Sequence, residues 1–313
     1  MLTKKSKIFV AGHKGMVGSA ILRLLKNKKY TNLITVDKKQ LNLLDQKKVF
    51  SFLKRQKPDY IIIAAAKVGG IFSNLKYKAE YFYENIQIQN NLIHGSYINK
   101  IRNLIFLGSS CIYPKYSKQP FKEKDLLKGE FEPTNDAYSL AKVAGIKMCE
   151  YYNHQYNLNY KCLMPSNVYG QNDNYDSDNS HFFPALLKKI HTAKVNNAKE
   201  IELWGSGKAK REIIFVEDLA DACIYFLGKK TSHTLINIGS GIEYTIKAYA
   251  EIIMKNLNCR LKIFYDTSKP DGMKRKIMNL SIANSYGWKA KTSLKKGIIK
   301  TYIDFLKVNN FKS

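Results

Sequence analysis

Along the first half of the chain, hydrophobic residues come in short unbroken runs, separated by longer stretches where they recur every three or four positions. Lys7–Ala11, Leu33–Asp37, Asp59–Ala66 and Asn103–Gly108 are the runs, and a short, continuously apolar run predicts a strand buried on both faces. Met16–Lys28 shows the other spacing, with Val17, Ala20, Ile21, Leu24 and Leu25 on one side of a helix. Asn85–Asn99 and Asn135–Tyr156 are longer helix candidates. Strands that alternate with helices of this length need crossover connections, so the sheet should be parallel with helices on both faces. The expected fold class is α/β, with a doubly wound parallel sheet.

The rhythm changes after Pro165. A polar loop, Gly170–Ser180, leads into a helix from about His181 to Lys194, then a short strand near Ile201–Trp204 and a Gly/Lys loop. The βα rhythm returns over Ile213–Leu227, and the helix Leu294–Lys307 comes last. No repeat, low-complexity tract or Pro/Ser-rich linker divides the chain. The expectation is therefore a sheet domain over 1–168 that also receives about 213–240, interleaved with a smaller mixed α/β lobe made of 169–212 and 241–313.

With 313 residues, 45% of them hydrophobic, the chain can bury a large core. The basic start is followed by an apolar run that His13 and Lys14 break after about five residues, too short for a signal segment or a membrane span. A cytoplasmic location without a membrane partner is expected. Cys111, Cys149, Cys162, Cys223 and Cys259 are odd in number and never paired as C-x-x-C, so neither a disulfide framework nor a metal site is indicated. The net charge of +27 raises the possibility of a polyanion partner. A nucleic-acid surface, however, clusters its charge on one element, whereas these lysines are spread along the whole chain, so no nucleic acid is expected.

Directly after the first strand stands Gly12-His13-Lys14-Gly15-Met16-Val17-Gly18, which opens the first helix. In such a G-x-x-G-x-x-G turn, Gly12 permits the tight bend, Gly15 lets backbone N–H groups approach a pyrophosphate at the positive helix end, and Gly18 allows close helix–strand packing. The strand before and the helix after make this a Rossmann-type dinucleotide site. Asp37 ends the second strand, where a carboxylate suits the ribose hydroxyls of NAD and repels a 2′-phosphate. Lys14, Lys38 and Lys39 lie close by and can neutralise that phosphate, which favours NADPH/NADP+ as the cofactor.

Tyr138 and Lys142 are four residues apart on a predicted helix, hence on one face. A hydride delivered to a carbonyl leaves an alkoxide that must receive a proton, and a phenol donates poorly unless a nearby cation lowers its pKa. Lys142 can supply that charge and also bond a nicotinamide ribose. Ser109 and Ser110 end the fourth strand, at the sheet edge where doubly wound folds bind ligands, so one of the two hydroxyls can bond the substrate carbonyl.

Taken with Ala64–Gly70, Leu107–Pro114, Asn42–Asp45, Ser180-His181, Trp204–Gly207 and Ser268–Gly272, these residues resemble the signature stretches of the GDP-L-fucose synthases, and the similarity runs essentially end to end. The resemblance implies an extended short-chain dehydrogenase/reductase that epimerises GDP-4-keto-6-deoxy-D-mannose at C3 and C5 and then reduces C4 with NADPH. It assigns Ser109, Tyr138 and Lys142 to reduction, and Cys111 and His181 to proton transfer at C3 and C5. It assigns Gly12, Lys14, Gly15, Met16, Val17, Gly18, Lys38, Asn42, Leu43, Ala65, Leu107, Gly108, Ser109, Ser110, Tyr138, Lys142, Pro165, Ser166, Asn167, Val168 and His181 to the cofactor. Lys189, Trp204, Arg211 and Asp271 fall to the GDP-sugar. A homodimer through Asn85–Asn99 and Asn135–Tyr156 is also implied.

The chain departs from the family pattern at Lys189, where an arginine is common and its bidentate fork is lost. It departs again at Val36-Asp37-Lys38, where an arginine-bearing sequence is usual. Two alternatives therefore stand beside this reading: C4 reduction of a GDP-4-keto heptose or related GDP-4-keto sugar, and a non-catalytic NADP-binding regulator. The proton-donor set Ser109, Tyr138 and Lys142 speaks against the regulator, since a sensor needs no such donor.

Overall fold

The structure is a computed structural model that describes residues 2–176, 180–269 and 271–309. Residues 177–179 of the expected polar loop, Pro270 of the Ser268–Gly272 stretch and residues 310–313 of the expected second lobe lie outside the described residues. The chain runs through β1 (Ile8–Ala11), α1 (Met16–Asn27), β2 (Leu33–Ile34), α2 (Gln46–Gln56), β3 (Tyr60–Ile63), α3 (Ile71–Lys76), α4 (Lys78–Ile98), β4 (Asn103–Leu107), α5 (Asp136–Tyr156), β5 (Asn159–Pro165) and β6 (Asn167–Tyr169). It continues through α6 (Phe182–Val195), β7 (Glu200–Trp204), β8 (Lys210–Phe215), α7 (Val216–Leu227), β9 (Leu235–Ile238), β10 (Glu243–Thr245), α8 (Ile246–Asn256), β11 (Lys262–Asp266), β12 (Arg275–Lys276), α9 (Ser281–Ser285) and α10 (Leu294–Val308).

A six-stranded sheet of order β2-β1-β3-β4-β5-β9, parallel throughout, forms the centre. Alternate residues of its strands feed two separate cores. Ile8, Val10, Ile62 and Ile105 join α1, α7 and the apolar faces of α6, α8 and α10, while Phe9, Ile61, Ile63 and Phe106 face α2, α4 and α5. This period-two sorting is why each strand reads as an unbroken apolar run. The chain turns to opposite sides of β1 after β1 and after β3, so the crevice where doubly wound sheets bind ligands opens at the carboxyl ends of these two neighbours.

A smaller layer packs beside the sheet. β8 pairs with β10, β12 and β6, and β7 pairs in parallel with β11. The chain crosses between the layers repeatedly: β8 lies in the small layer, and β9, which follows it after α7, completes the central sheet.

Two expected boundaries differ. The second strand ends at Ile34, well before Asp37, because an edge strand with one neighbour loses its ladder as soon as the chain turns toward the glycine-rich loop. The helix expected from Asn85 begins at Lys78; it buries Asn85, Gln89, Asn91 and Ser96, polar residues that hide its helical periodicity. Among the described residues no helix is long and apolar enough to cross a membrane, and no cluster of His, Cys, Asp or Glu could hold a metal ion.

Candidate active site

The glycine-rich turn separates what the chain itself requires from what it leaves open. Gly12 has φ +84°, and a Cβ there would lie 2.6 Å from the Ala65 nitrogen; a Cβ on Gly18 would overlap the Gly12 carbonyl oxygen. Both positions are therefore fixed by backbone packing. Gly15 is different: it caps α1 with φ −70°, and an added Cβ would meet only the Gly12 oxygen, at 3.5 Å. Nothing in the protein demands a glycine there, and no side chain caps the helix. The result is an open cradle at a positive helix end, the surroundings an anion needs. Met16 and Val17 form the first turn of that helix. Across the sheet edge Pro165 ends β5, Ser166 follows with a buried Oγ that has no partner, and Asn167 and Val168 lie on β6. An open cradle and an orphaned hydroxyl on the same edge fit a dinucleotide.

Near the expected adenosine end, Asp37 accepts from Lys14 at 2.9 Å and from His13 at 3.2 Å. The Lys14 contact leads in holding its carboxyl below the usual range. Lys14 is thus committed to a carboxylate, while Lys38 is exposed. The Asn42 side chain turns back on the Leu44 nitrogen, and the Leu43 carbonyl accepts from Asn91.

At the end of β4, Leu107 and Gly108 lead into a single helical turn, Ser110–Ile112, whose first N–H groups are capped by Ser109. Ser110 is 3% exposed, whereas the Ser109 side chain acts on the Tyr138 hydroxyl, working against the rise of its pKa. The sequence left the choice between these serines open, and the burial of Ser110 together with the influence of Ser109 on Tyr138 favours Ser109. Lys142 is 3% exposed; its Nζ donates to the Leu107 carbonyl at 2.8 Å and stands 5.7 Å from the Tyr138 ring. Burial brings Lys142 down to about 7. Burial, followed by the nearby Cys111, pushes the Tyr138 hydroxyl well up, against the pull of Ser109. This reverses the lowering expected of Tyr138 from a neighbouring cation, because desolvation disfavours charge on both partners at once.

Cys111 lies on the same turn. Its Sγ accepts from Asn135 Nδ2 at 3.3 Å and from Lys276 Nζ at 3.4 Å, and its carbonyl accepts from Ser139 at 2.9 Å. His181 is the N-cap residue of α6 and is exposed, and desolvation by the protein around it, followed by the Lys276 ammonium, lowers its pKa. The sequence reading missed Asn135 and Lys276. Asn135 had a usable signal, since it directly precedes the helix that carries Tyr138. Lys276 had none, because Lys274-Arg275-Lys276 looks like the general lysine surplus.

The four residues expected at the sugar nucleotide lie around β7, the turn that follows it and the start of β8. Trp204 is 65% exposed and donates to Glu202 at 3.1 Å, while Lys189 donates to the Glu202 carbonyl at 2.7 Å. Both Asp271 carboxylate oxygens accept from Ser206, at 2.7 Å each, so Asp271 secures the Gly205–Gly207 turn. Arg211 Nη1 donates to the Lys210 carbonyl at 2.8 Å and Nη2 reaches the Asp271 carbonyl at 3.5 Å. Burial lowers the pKa of Arg211, against Asp271. Arg211 on β8 is in register with Lys276 on β12, and this joins the cluster to Cys111.

Residues 8–239 match the NAD dependent epimerase/dehydratase family. A putative GDP-L-fucose synthase 2 from Arabidopsis thaliana is 49% identical over 302 residues, spanning 96% of this chain and 92% of the plant protein. The GDP-L-fucose synthase of Escherichia coli strain K12 is 43% identical over 311 residues, spanning 96% and 97%. Among solved structures, a GDP-mannoheptose C4 reductase from Campylobacter jejuni with NADP bound superposes with a TM-score of 0.89 at 36% identity, covering 97% of this chain and 99% of its own. By fold, by full-length similarity and by the family match, the chain belongs to the NAD-dependent epimerase/dehydratase family and stands within it among the GDP-L-fucose synthases.

Proposed function

We propose that this protein is an NADPH-dependent 3,5-epimerase and 4-reductase that converts GDP-4-keto-6-deoxy-D-mannose to GDP-L-fucose. One observation carries the reading: the Cys111 sulfur, held by two donors, shares one turn with Ser109 and faces the start of the helix that carries Tyr138 and Lys142, at the carboxyl edge of the sheet. Reduction and carbon-acid chemistry can then address adjacent atoms of one ring. Gly12, Gly15 and the N–H groups of Met16, Val17 and Gly18 would hold the pyrophosphate, Ser166 and Lys142 the nicotinamide end, and Lys14 or Lys38 the 2′-phosphate. Trp204, Arg211 and Lys189 would hold the GDP moiety.

The C4 ketone acidifies the protons at C3 and C5. Of Cys111 and His181, one removes such a proton and the other returns one to the opposite face, while Ser109 and Tyr138 donate to the enolate oxygen. When bound, NADPH supplies the hydride for C4. Tyr138 then gives its proton to the C4 oxygen, and Ser109 keeps the hydroxyl and that oxygen aligned.

Lys189 in place of arginine, together with the 36% identity to a heptose C4 reductase, favours as second reading the C4 reduction of a GDP-4-keto heptose or a related sugar. The test is a panel of GDP-4-keto sugars with NADPH in D₂O, with products read by NMR. Deuterium at C3 and C5 with a 6-deoxyhexose product supports the first reading, and reduction without deuterium supports the second. The proposal includes the two interleaved lobes, 1–168 with 213–240 and 169–212 with 241–313, and a homodimer through α4 and α5. It also includes work in the cytoplasm, since both phosphorylated ligands are too polar to cross a bilayer unaided.

A further inference from the structure

Lys276 takes no part in the chemistry derived above, yet it contacts one member of the suggested proton-transfer pair and its charge bears on the other. Its neighbour Arg275 is paired with Glu243, whereas the Lys276 ammonium donates to the Cys111 sulfur at 3.4 Å. Asn135 grips the same sulfur from the start of α5, so the thiol is held by two elements from different layers of the fold. We propose that Lys276 is a positioning residue of the C3/C5 proton transfer, fixing the Cys111 sulfur together with Asn135 and coupling its state to that of His181.

The inference rests on the epimerase reading and concerns how that reaction is geared. In each epimerisation a C–H bond breaks, its proton goes to one member of the pair, and its electrons rest on the C4 enolate oxygen. The other member then returns a proton to the opposite face, so one proton's charge is redistributed between Cys111 and His181. An ammonium in contact with the sulfur, whose charge also bears on the imidazole, acts on that redistribution. It also lowers the pKa of the imidazole, second to burial, which makes a protonated His181 the stronger acid. Other charged groups around this helix start are engaged elsewhere: Lys188 donates to the Tyr175 carbonyl, Lys189 to the Glu202 carbonyl, and Asp173 accepts from the Asn174 nitrogen.

Two measurements on the whole protein test this. The first is solvent deuterium exchange at C3 and C5 of the GDP-4-keto sugar with NADP+ present. Lys276→Met should lower the exchange turnover about 10²-fold, as loss of a positioned proton-transfer group does, with KM changed less than about threefold. Lys276→Arg, which keeps the charge, should restore a large part of the rate. The second is the His181 imidazole titration by NMR in histidine-labelled protein, which needs no substrate. It should move to higher pH in Lys276→Met and stay in place in Lys276→Arg. Should the methionine variant not fold, Lys276→Gln takes its place in both comparisons. A His181 titration indifferent to Lys276, or equal losses of exchange in the arginine and methionine variants, overturns the assignment. Absence of exchange in the unaltered protein overturns the epimerase reading and this role with it. A His181 titration that still responds to Lys276 would then trace the failure to the reaction and away from the contact.

Discussion

Burial acts against charge at Tyr138 and Lys142 alike, raising one and bringing the other down to about 7, so the free protein holds this pair close to neutral. The Tyr138 phenol, on which Ser109 acts, remains the group able to supply the proton at C4. Tyr138→Phe should therefore cut C4 reduction by about 10²–10⁴ while leaving NADPH binding, read by fluorescence titration, nearly intact. Lys161 is a useful contrast. It is 1% exposed on β5, bonded to Asn159 at 2.6 Å, and burial brings it to about 7, yet nothing in the cleft uses it. Its folded pKa is depressed, so as pH falls from about 10 toward 7 the unfolded chain takes up a proton that the folded chain refuses, and stability falls across that window. Lys161→Met should raise the unfolding midpoint by several degrees at pH 7, at about 2–4 °C per kcal/mol for a large domain, and much less near pH 10. At the cofactor's other end, Lys14 is engaged by Asp37. Asp37→Asn should free it and raise the NADPH/NADH efficiency ratio roughly tenfold, since a charge-assisted phosphate contact is worth about 1.5–3 kcal/mol; an unchanged ratio would show that the ion pair does not govern selection.

Among the elements, the turn from β1 into α1 shows how one motif mixes two kinds of requirement. Gly18→Ala should lower thermal stability, because its Cβ has no room against the Gly12 carbonyl. Gly15→Ala should leave the unfolding midpoint almost unchanged and weaken NADPH binding, which calorimetry would resolve. Elements whose side chains sort cleanly were legible in the sequence: β1, β3 and β4 as apolar runs, α1 and α5 as helices, and the glycine turn between them. Illegible were β6, β10 and β12, strands of two or three residues that leave no periodic trace. The start of α4 was hidden by its buried amides. The site followed the same division. Tyr138 and Lys142 share one helix face and could be paired from spacing, whereas Lys276 reaches Cys111 from 165 positions away, a proximity that only the packing of β12 on β8 creates.

The whole molecule leaves large apolar side chains uncovered on the paired helices: Phe82, Tyr83 and Ile98 on α4, and Leu140 and Tyr151 on α5. Such a surface suits a second copy of the chain. Sedimentation should give a dimer, which Tyr151→Glu loosens by placing a charge within the apolar face; a monomer in the unaltered protein would rule this association out. The path of the chain sets a different limit. Because β8 serves the small layer while α7 and β9 return to the central sheet, the region that would grip the sugar nucleotide is not a cassette that can be cut out at two points. A fragment ending near Pro165 would lack the β9 edge and the α7 cover that one core needs. Recombining halves of related enzymes would therefore demand several simultaneous splice points, each with its own packing to match. Re-targeting this scaffold to another sugar is accordingly a matter of exchanging individual side chains, Lys189 and Trp204 first.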